Sequence, residues 1–428
     1  MKVVIIGAGF AGLKVARCLN NKQGIEVILL DRFNFHQFQP LFYQVATANL
    51  DASNISFPLR KIFQKSTNVR IRVSKMISID TSQNKINTET GIIDFDKLVI
   101  ATGADTNFFD NKQLIDNAFP MKSTTEALQI RHWLIQNFEE MLVTTDEIER
   151  ERKMTVVICG GGPTGVEMSG AIAEMKRYNL PPDYPEIDFS KMRIILVEGS
   201  GNTLNSMSDK SHEQSKIYLE KLGVTVMLNT LLKEYDGKTV VLNTGEKINA
   251  ATVIWAAGIK GNVPQGIDSM MVVMGNRIKV DRQSKVIGLP NIYAIGDVSS
   301  METPKYPHGH PQLANVAINQ GKTLAKNLLL MQRQDANLHE FEYADKGSMA
   351  TVGRNLAVVD IPNPKLHFGG FFAWLIWMSL HLFLILGVKN KIQIFINWVY
   401  KYFTKDQSLR LLFKEFYRWK KEDKAIVS

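Results

Sequence analysis

The sequence predicts an α/β protein of two Rossmann-like domains, the second inserted in the first, followed by an amphipathic helical region at the C-terminal end. Three observations predict it. A β-branched run enters a glycine turn at the start of the chain, the pattern recurs from residue 155, and the last tenth is basic and aromatic. The length of 428 residues suits two or three packed units. Hydrophobic residues at 45% and charged residues at 22% exclude a disordered chain, and two cysteines exclude a disulfide framework.

Val3–Ile6 is β-branched and too short for a helix, so it reads as a strand. Gly7-Ala8-Gly9-Phe10-Ala11-Gly12 follows, then a helix-like stretch to Leu19, then a strand from Val27 to Leu30 closed by Asp31. The first glycine permits a tight turn, the second lets backbone approach a pyrophosphate at the helix N-terminus, and the third lets helix pack on strand. Asp31 is placed to accept a hydrogen bond from a ribose hydroxyl. No basic stretch, long apolar stretch or small-residue cleavage site precedes the first strand, so the body is expected to fold in the cytoplasm.

The second copy runs from the strand Thr155–Cys159 through Gly160-Gly161-Gly162-Pro163-Thr164-Gly165 into a helix from Val166 to about Tyr178. After a proline-rich insertion, Asn179 to Lys191, comes the strand Arg193–Val197 and then Glu198. Both copies have the strand, helix and acid that make a glycine motif specific. A carboxylate at the 2′-hydroxyl position repels a 2′-phosphate, which favours NADH over NADPH. Two further strand-to-turn segments assign the copies. Phe95–Ile100 leads into Ala101-Thr102-Gly103, and Asn291–Ile295 leads into Gly296-Asp297, an acid suited to a flavin ribityl chain. Trp255-Ala256-Ala257-Gly258 closes the inserted unit. The expected boundaries are 1–119 with 264–345 for an FAD-binding domain, 120–263 for an NADH-binding domain, and 346–428 for a C-terminal membrane-associated region.

Several segments resemble the type II NADH dehydrogenases, single-subunit NADH:quinone oxidoreductases of the two-dinucleotide flavoprotein superfamily. They are His36 to Ala46, Gly160 to Glu167, Tyr343 to Gly353 and the aromatic tail, so the resemblance spans essentially the whole chain. It implies non-covalent FAD in the first domain, NADH in the second, a quinone as acceptor and no proton pumping. By position, Gly7 to Gly12, Asp31, Arg32, Met76, Ala101 to Gly103, Gly296, Asp297, Ala314 and Asn315 would hold FAD, with Pro40 to Tyr43 near the flavin. Gly160, Gly162, Gly165, Glu198, Ala257 and Gly258 would hold NADH. Glu167 matches the family's active-site glutamate; its plainer reading is a helix N-terminal carboxylate that favours the dipole. Asn315, Ile318 and Asn319 stand where the quinone would be met. The family's two glutamines in Ala-Gln-x-Ala-x-Gln are here Asn315 and Asn319, each reaching one methylene less.

From Phe368 to Val388 twenty-one residues carry no formal charge, long enough to span a bilayer, but Gly369, Gly370 and Gly387 sit at the ends and His381 inside. Ile392, Phe395, Ile396 and Val399 then form one helical stripe, with Gln393, Asn397 and Lys401 opposite, and Leu409, Leu412, Phe413 and Phe416 repeat it against Arg410, Lys414 and Arg418. From Lys389 onward ten basic residues face four acidic ones, which holds most of the chain's net charge of +9. A basic, aromatic, amphipathic helix fits the surface of an anionic membrane, on its cytoplasmic face; the alternative is a helix packed on its own domain or on a second copy. A homodimer is expected.

No zinc module or recognition motif accompanies the basic charge, so no nucleic-acid partner is expected. No metal site is expected either; His308 and His310 read as loop residues. Met270, Met271 and Met274 read as core filling, and Cys18 and Cys159 as small packing residues. Three other functions stay open. A sulfide:quinone oxidoreductase would need paired cysteines, a reductase of soluble partners would lack the tail, and a non-catalytic redox sensor would not need Glu167.

Overall fold

The computed structural model describes residues 1–406 and 409–412. Two five-stranded parallel sheets form its centre. The first runs in the order Ile292–Ala294, Lys97–Ile100, Lys2–Ile6, Glu26–Asp31, Val69–Val73. The second runs Phe119–Pro120, Thr252–Trp255, Thr155–Cys159, Arg193–Val197, Thr225–Met227. The strand from residue 292 pairs with residues 98–100, so the chain returns to the first sheet after building the second. Val3, Val4 and Ile5 are wholly buried, as are Val156, Val157 and Ile158. Central parallel strands are covered on both faces, which is why these read as unbroken apolar runs.

Helix α1 (Phe10–Leu19) leaves the first glycine turn, and α2 (Pro163–Tyr178) leaves the second. The long helix α3 (Ala314–Gln332) lies against α1. An antiparallel sheet of Ser348–Gly353, Leu356–Pro362 and Lys365–Gly369 then packs over α2. Helices α4 (Gly370–Leu384) and α5 (Val388–Thr404) close the chain's described part.

Several expectations change. The second helix begins at Pro163, not Val166, since proline at a first helical position gives up no intrahelical bond. The insertion after it is ordered: Leu180–Asp183 is a short helix, and Leu180, Ile187 and Phe189 are buried in the main core. The uncharged stretch 368–388 is not one element. Gly370 and Gly387 have φ of +69° and +78°, and the chain passes from strand to α4, turns, and starts α5. Among the described residues no helix is long and apolar enough to cross a membrane. Met270 and Met274 are not core: they are 87% and 90% exposed, Met270 on a one-turn helix capped by Asp268 and Met274 in the turn after the strand Val272–Val273. The second amphipathic stripe lies mostly outside the described residues, and 409–412 are not helical.

On α5 the stripe Ile392, Phe395, Ile396 and Val399 faces outward, between 40% and 57% exposed, while Ile394 and Trp398 are buried against the core. On α4, Ala373, Trp377 and His381 face inward, and Phe372 and Phe383 are more than 70% exposed. Burial lowers His381 to about 4, so it carries no charge at neutral pH. Packing on its own domain thus accounts for Ile394 and Trp398 but leaves the stripe uncovered.

Candidate functional site

The two glycine turns are built alike. Gly7 has φ +100°, and a Cβ there would lie 2.3 Å from the Ala101 carbonyl oxygen; a Cβ on Gly12 would lie 1.9 Å from the Gly7 carbonyl oxygen. In the second turn a Cβ on Gly160 would meet the Ala256 carbonyl at 2.6 Å, and one on Gly165 the Gly160 oxygen at 1.8 Å. Gly9 and Gly162 are the N-caps of α1 and α2; neither helix start has a side-chain cap, and nothing lies within 4 Å of a Cβ built there. Both helix starts therefore present free N–H groups to an open hollow, the shape and polarity that a pyrophosphate requires.

A Gly12→Ala change places a methyl inside the turn, so the turn must open. The variant is expected to purify with little flavin while retaining NADH binding, checked by flavin released per chain on denaturation.

Asp31 accepts from the Ala8 N–H at 2.6 Å and the Phe33 N–H at 2.8 Å, which fixes it at the strand end beside the turn. Burial raises its carboxyl above the ordinary range against those two bonds. Arg32 is exposed and stacks over the Phe33 ring at 4.9 Å. Met76 opens a strand three residues beyond Val73, the residue paired with Asp31. Ala101 to Gly103 and Gly296 to Asp297 end neighbouring strands, and the Gly296 N–H donates to Gln320 of α3 at 2.7 Å. Desolvation raises the Asp297 carboxyl, with Lys122 and Arg277 opposing. Glu198 accepts from the N–H groups of Gly161 and Ser200, repeating the Asp31 arrangement. Ala257 and Gly258 follow the strand Thr252–Trp255, beside Gly160. These residues fit an FAD on the first turn and a second dinucleotide on the other.

Glu167 is in the first turns of α2, buried at 9% exposure, and its Oε1 lies 3.4 Å from the Thr351 N–H. Burial pushes its carboxyl up to about 8, opposed by the Thr351 N–H and the Trp377 indole. The indole N–H is buried and turned to Glu167, short of a hydrogen bond of normal geometry. At pH 7 Glu167 therefore holds a proton, in a pocket walled by Tyr43, Ala171, Thr351, Trp374, Trp377 and Met378. Trp377 stacks on His381 at 3.9 Å between ring centres.

Sequence reasoning gave no site role to Trp377, Trp398, Glu174 or Lys401, the last read only as part of a helix's polar stripe. Trp398 donates to Gln44 Oε1 at 2.8 Å across 354 residues, and Lys401 pairs with Glu174 at 3.0 Å. Glu174 was the findable one, seven residues after Glu167 on the same helix face. Asn315, Ile318 and Asn319 are half-buried on α3 and do not line this pocket; the Asn315 amide donates to the Tyr343 hydroxyl at 3.3 Å and Asn319 donates back to Asn315. The two cysteines are free and stand in separate cores, and burial pushes the Cys159 thiol up. No group of three or more metal-ligating side chains occurs among the described residues.

Two glycine turns at strand ends, each opening a helix with free N–H groups, and a buried carboxyl on the second helix facing an apolar pocket fit a flavin- and pyridine-nucleotide-dependent oxidoreductase. Residues 1–321 match the pyridine nucleotide-disulphide oxidoreductase family, and residues 346–405 match the NDH2 C-terminal domain. The chain is 34% identical to the type II NADH:quinone oxidoreductase NdhA of Mycobacterium tuberculosis over 93% of its length and 86% of that protein's. It is 27% identical to a type II NADH:quinone oxidoreductase of Staphylococcus aureus over 82% of its own length and 87% of the other's. Its fold matches NDH2 of Plasmodium falciparum, solved in complex with NADH, at a TM-score of 0.86 and 22% identity over 96% of this chain and 99% of the other. The sulfide:quinone oxidoreductase of Aquifex aeolicus is less alike, at a TM-score of 0.71 and 18% identity over 91% and 92%. The chain belongs to the type II NADH:quinone oxidoreductase family.

Proposed function

We propose that the chain oxidises NADH and reduces a quinone at a membrane surface, with non-covalent FAD and without pumping protons. The observation that carries it is Glu167, protonated by burial at the inner end of an apolar pocket whose far walls are the helices that expose apolar residues. The chemistry that FAD would supply when bound is two-electron carriage between NADH and a quinone. The turn Gly7–Gly12, with Asp31 and Asp297, would hold FAD, and the turn Gly160–Gly165, with Glu198, would hold NADH. Asp31 and Glu198 present carboxylates to ribose hydroxyls and repel a 2′-phosphate. Glu167 offers a proton to a quinone oxygen, and the Trp377 N–H beside it offers that oxygen a donor. The apolar walls keep bulk water from the reduced site.

We assign FAD binding to 1–119 and 264–345, NADH binding to 120–263 and membrane association to the rest. The uncovered stripe on α5 supports a peripheral position, on the cytoplasmic face, with lipid as the surface it meets. A homodimer completes the reading and is tested by sedimentation. Anaerobic titration tests the chemistry. NADH is expected to bleach the bound flavin far more readily than NADPH, and a short-chain quinone to restore the colour. Bleaching by sulfide and not by NADH would instead make it a sulfide oxidase.

A further inference from the structure

The reaction just proposed, on which the following rests, consumes one proton: NADH, H⁺ and quinone give NAD⁺ and hydroquinone. The hydride brings two electrons and one of the two hydrogens that the hydroquinone gains, and the other comes from water. The pocket beside Glu167 is mostly apolar, so that proton needs a polar way in. We propose that it enters by the groove beside α5 and passes the Lys401–Glu174 ion pair to Glu167, with the Tyr43 hydroxyl and cavity water bridging the last stretch.

The groove holds about 410 Å³ and is lined by polar groups, among them Asp51, Asn54, Asn397 and Asp406. It shares Asn49 and Lys401 with the inner pocket, so those two side chains are the wall between them. Lys401 Nζ lies 3.0 Å from Glu174. Glu174 and Glu167 are the two carboxylates lining the inner pocket, two helical turns apart on one face of α2, roughly 10 Å along the axis. Tyr43 lines the same pocket, and after burial the charges of Glu167 and Glu174 are what hold its hydroxyl above its ordinary range. The other charged group there is Arg354, which stacks over the Tyr402 ring at 4.3 Å and whose backbone N–H donates to Glu174.

Three buried polar atoms of this pocket make no protein hydrogen bond of normal geometry: Asn49 Oδ1 at the wall, Trp377 Nε1 beside Glu167, and Arg354 Nε. A buried polar group left without a partner is costly, so each calls for a water or a substrate oxygen. The pocket's free interior of about 70 Å³ has room for roughly two waters. A chain of donors and acceptors then runs from groove to Glu167.

The plainer role of Lys401–Glu174 is to fasten α5 to α2, and the test separates the two. Glu174→Gln, Lys401→Met and the double change of both residues to Met would be compared with the wild-type, FAD-loaded protein. The first readout is infrared: the hydrogen–deuterium exchange rate of the protonated Glu167 carboxyl, its band assigned by its loss in Glu167→Gln. The second is flavin reoxidation by a short-chain quinone, with and without formate as a small diffusible acid. All three variants are expected to slow both exchange and reoxidation by at least ~10-fold, with flavin reduction by NADH unchanged and formate restoring reoxidation. Wild-type exchange in the single variants, or recovery in the double variant without formate, would overturn the route and leave a fastening. A wild-type protein that cannot reduce quinone at all would sink the enzymatic reading instead.

Discussion

Glu167→Gln is expected to lower NADH:quinone turnover by about 10²-fold or more, with one flavin still bound per chain. Glutamine keeps the size and the acceptor that faces the Thr351 N–H, so the pocket holds its shape while the transferable proton is removed. The carboxyl's folded value of about 8, against an ordinary 4.5, also ties it to stability. Between those values the unfolded chain has lost the proton and the folded chain keeps it, so the folded state binds more protons and stability falls as pH rises through the window. The loss is complete above about pH 8 and absent below about pH 4.5. Each tenfold difference in proton affinity between the two states is worth roughly 1.4 kcal/mol, so the loss amounts to a few kcal/mol. Glu167→Gln lacks this titration. Its melting temperature should exceed that of the wild type at pH 8 and match it near pH 4.5, which calorimetry reads directly. Wild-type turnover should fall as pH passes 8, and the variant's residual rate should lack that limb. Full activity in the variant would remove Glu167 from the chemistry.

Much of the dinucleotide architecture was legible because it is local. A turn in which a Cβ on Gly12 would strike the Gly7 carbonyl admits little but glycine, and the acids closing the next strands are set by chain length alone. The pocket is the opposite case. Trp377, Trp398 and Lys401 reach Glu167 and Glu174 because an antiparallel sheet lays over α2 and turns the chain back across it. No spacing in the sequence records that path. Nor does periodicity choose between two apolar stripes on α5: Ile394 and Trp398 are as apolar as Ile392, Phe395, Ile396 and Val399. The choice falls to a partner far away, the Gln44 amide that accepts the Trp398 N–H. The uncharged run from Phe368 left spanning open for a related reason, since the positive φ at Gly387 breaks it where hydropathy sees continuity.

Placing acids on the exposed stripe, as in Phe395→Glu with Ile396→Glu, is expected to release the protein from anionic vesicles. Both side chains are more than half exposed, so the folded body loses little packing from the change. In a bilayer interface each would bury apolar area worth roughly 1.5–3 kcal/mol. Phe372 and Phe383 of α4 and Val388 at the start of α5 add to that surface, each more than 70% exposed. The neighbouring Lys389 and Lys391 add about 1 kcal/mol each against anionic lipid, a contribution that salt screens. Two carboxylates reverse the local sign and remove two apolar insertions together, so vesicle partitioning should weaken by about 10²-fold or more. Reduction of a short-chain quinone in solution should continue near the wild-type rate, because the Glu167 pocket lies on the buried side of α5. Reduction of a long-chain quinone dissolved in the vesicles should fall with the partitioning. A stripe that instead paired two copies would show itself differently: the same substitutions would split a dimer in sedimentation and leave vesicle binding unchanged. Co-flotation with vesicles of graded anionic lipid, run at low and high salt, separates the two, since lipid attraction must weaken with salt while an apolar contact between copies must not.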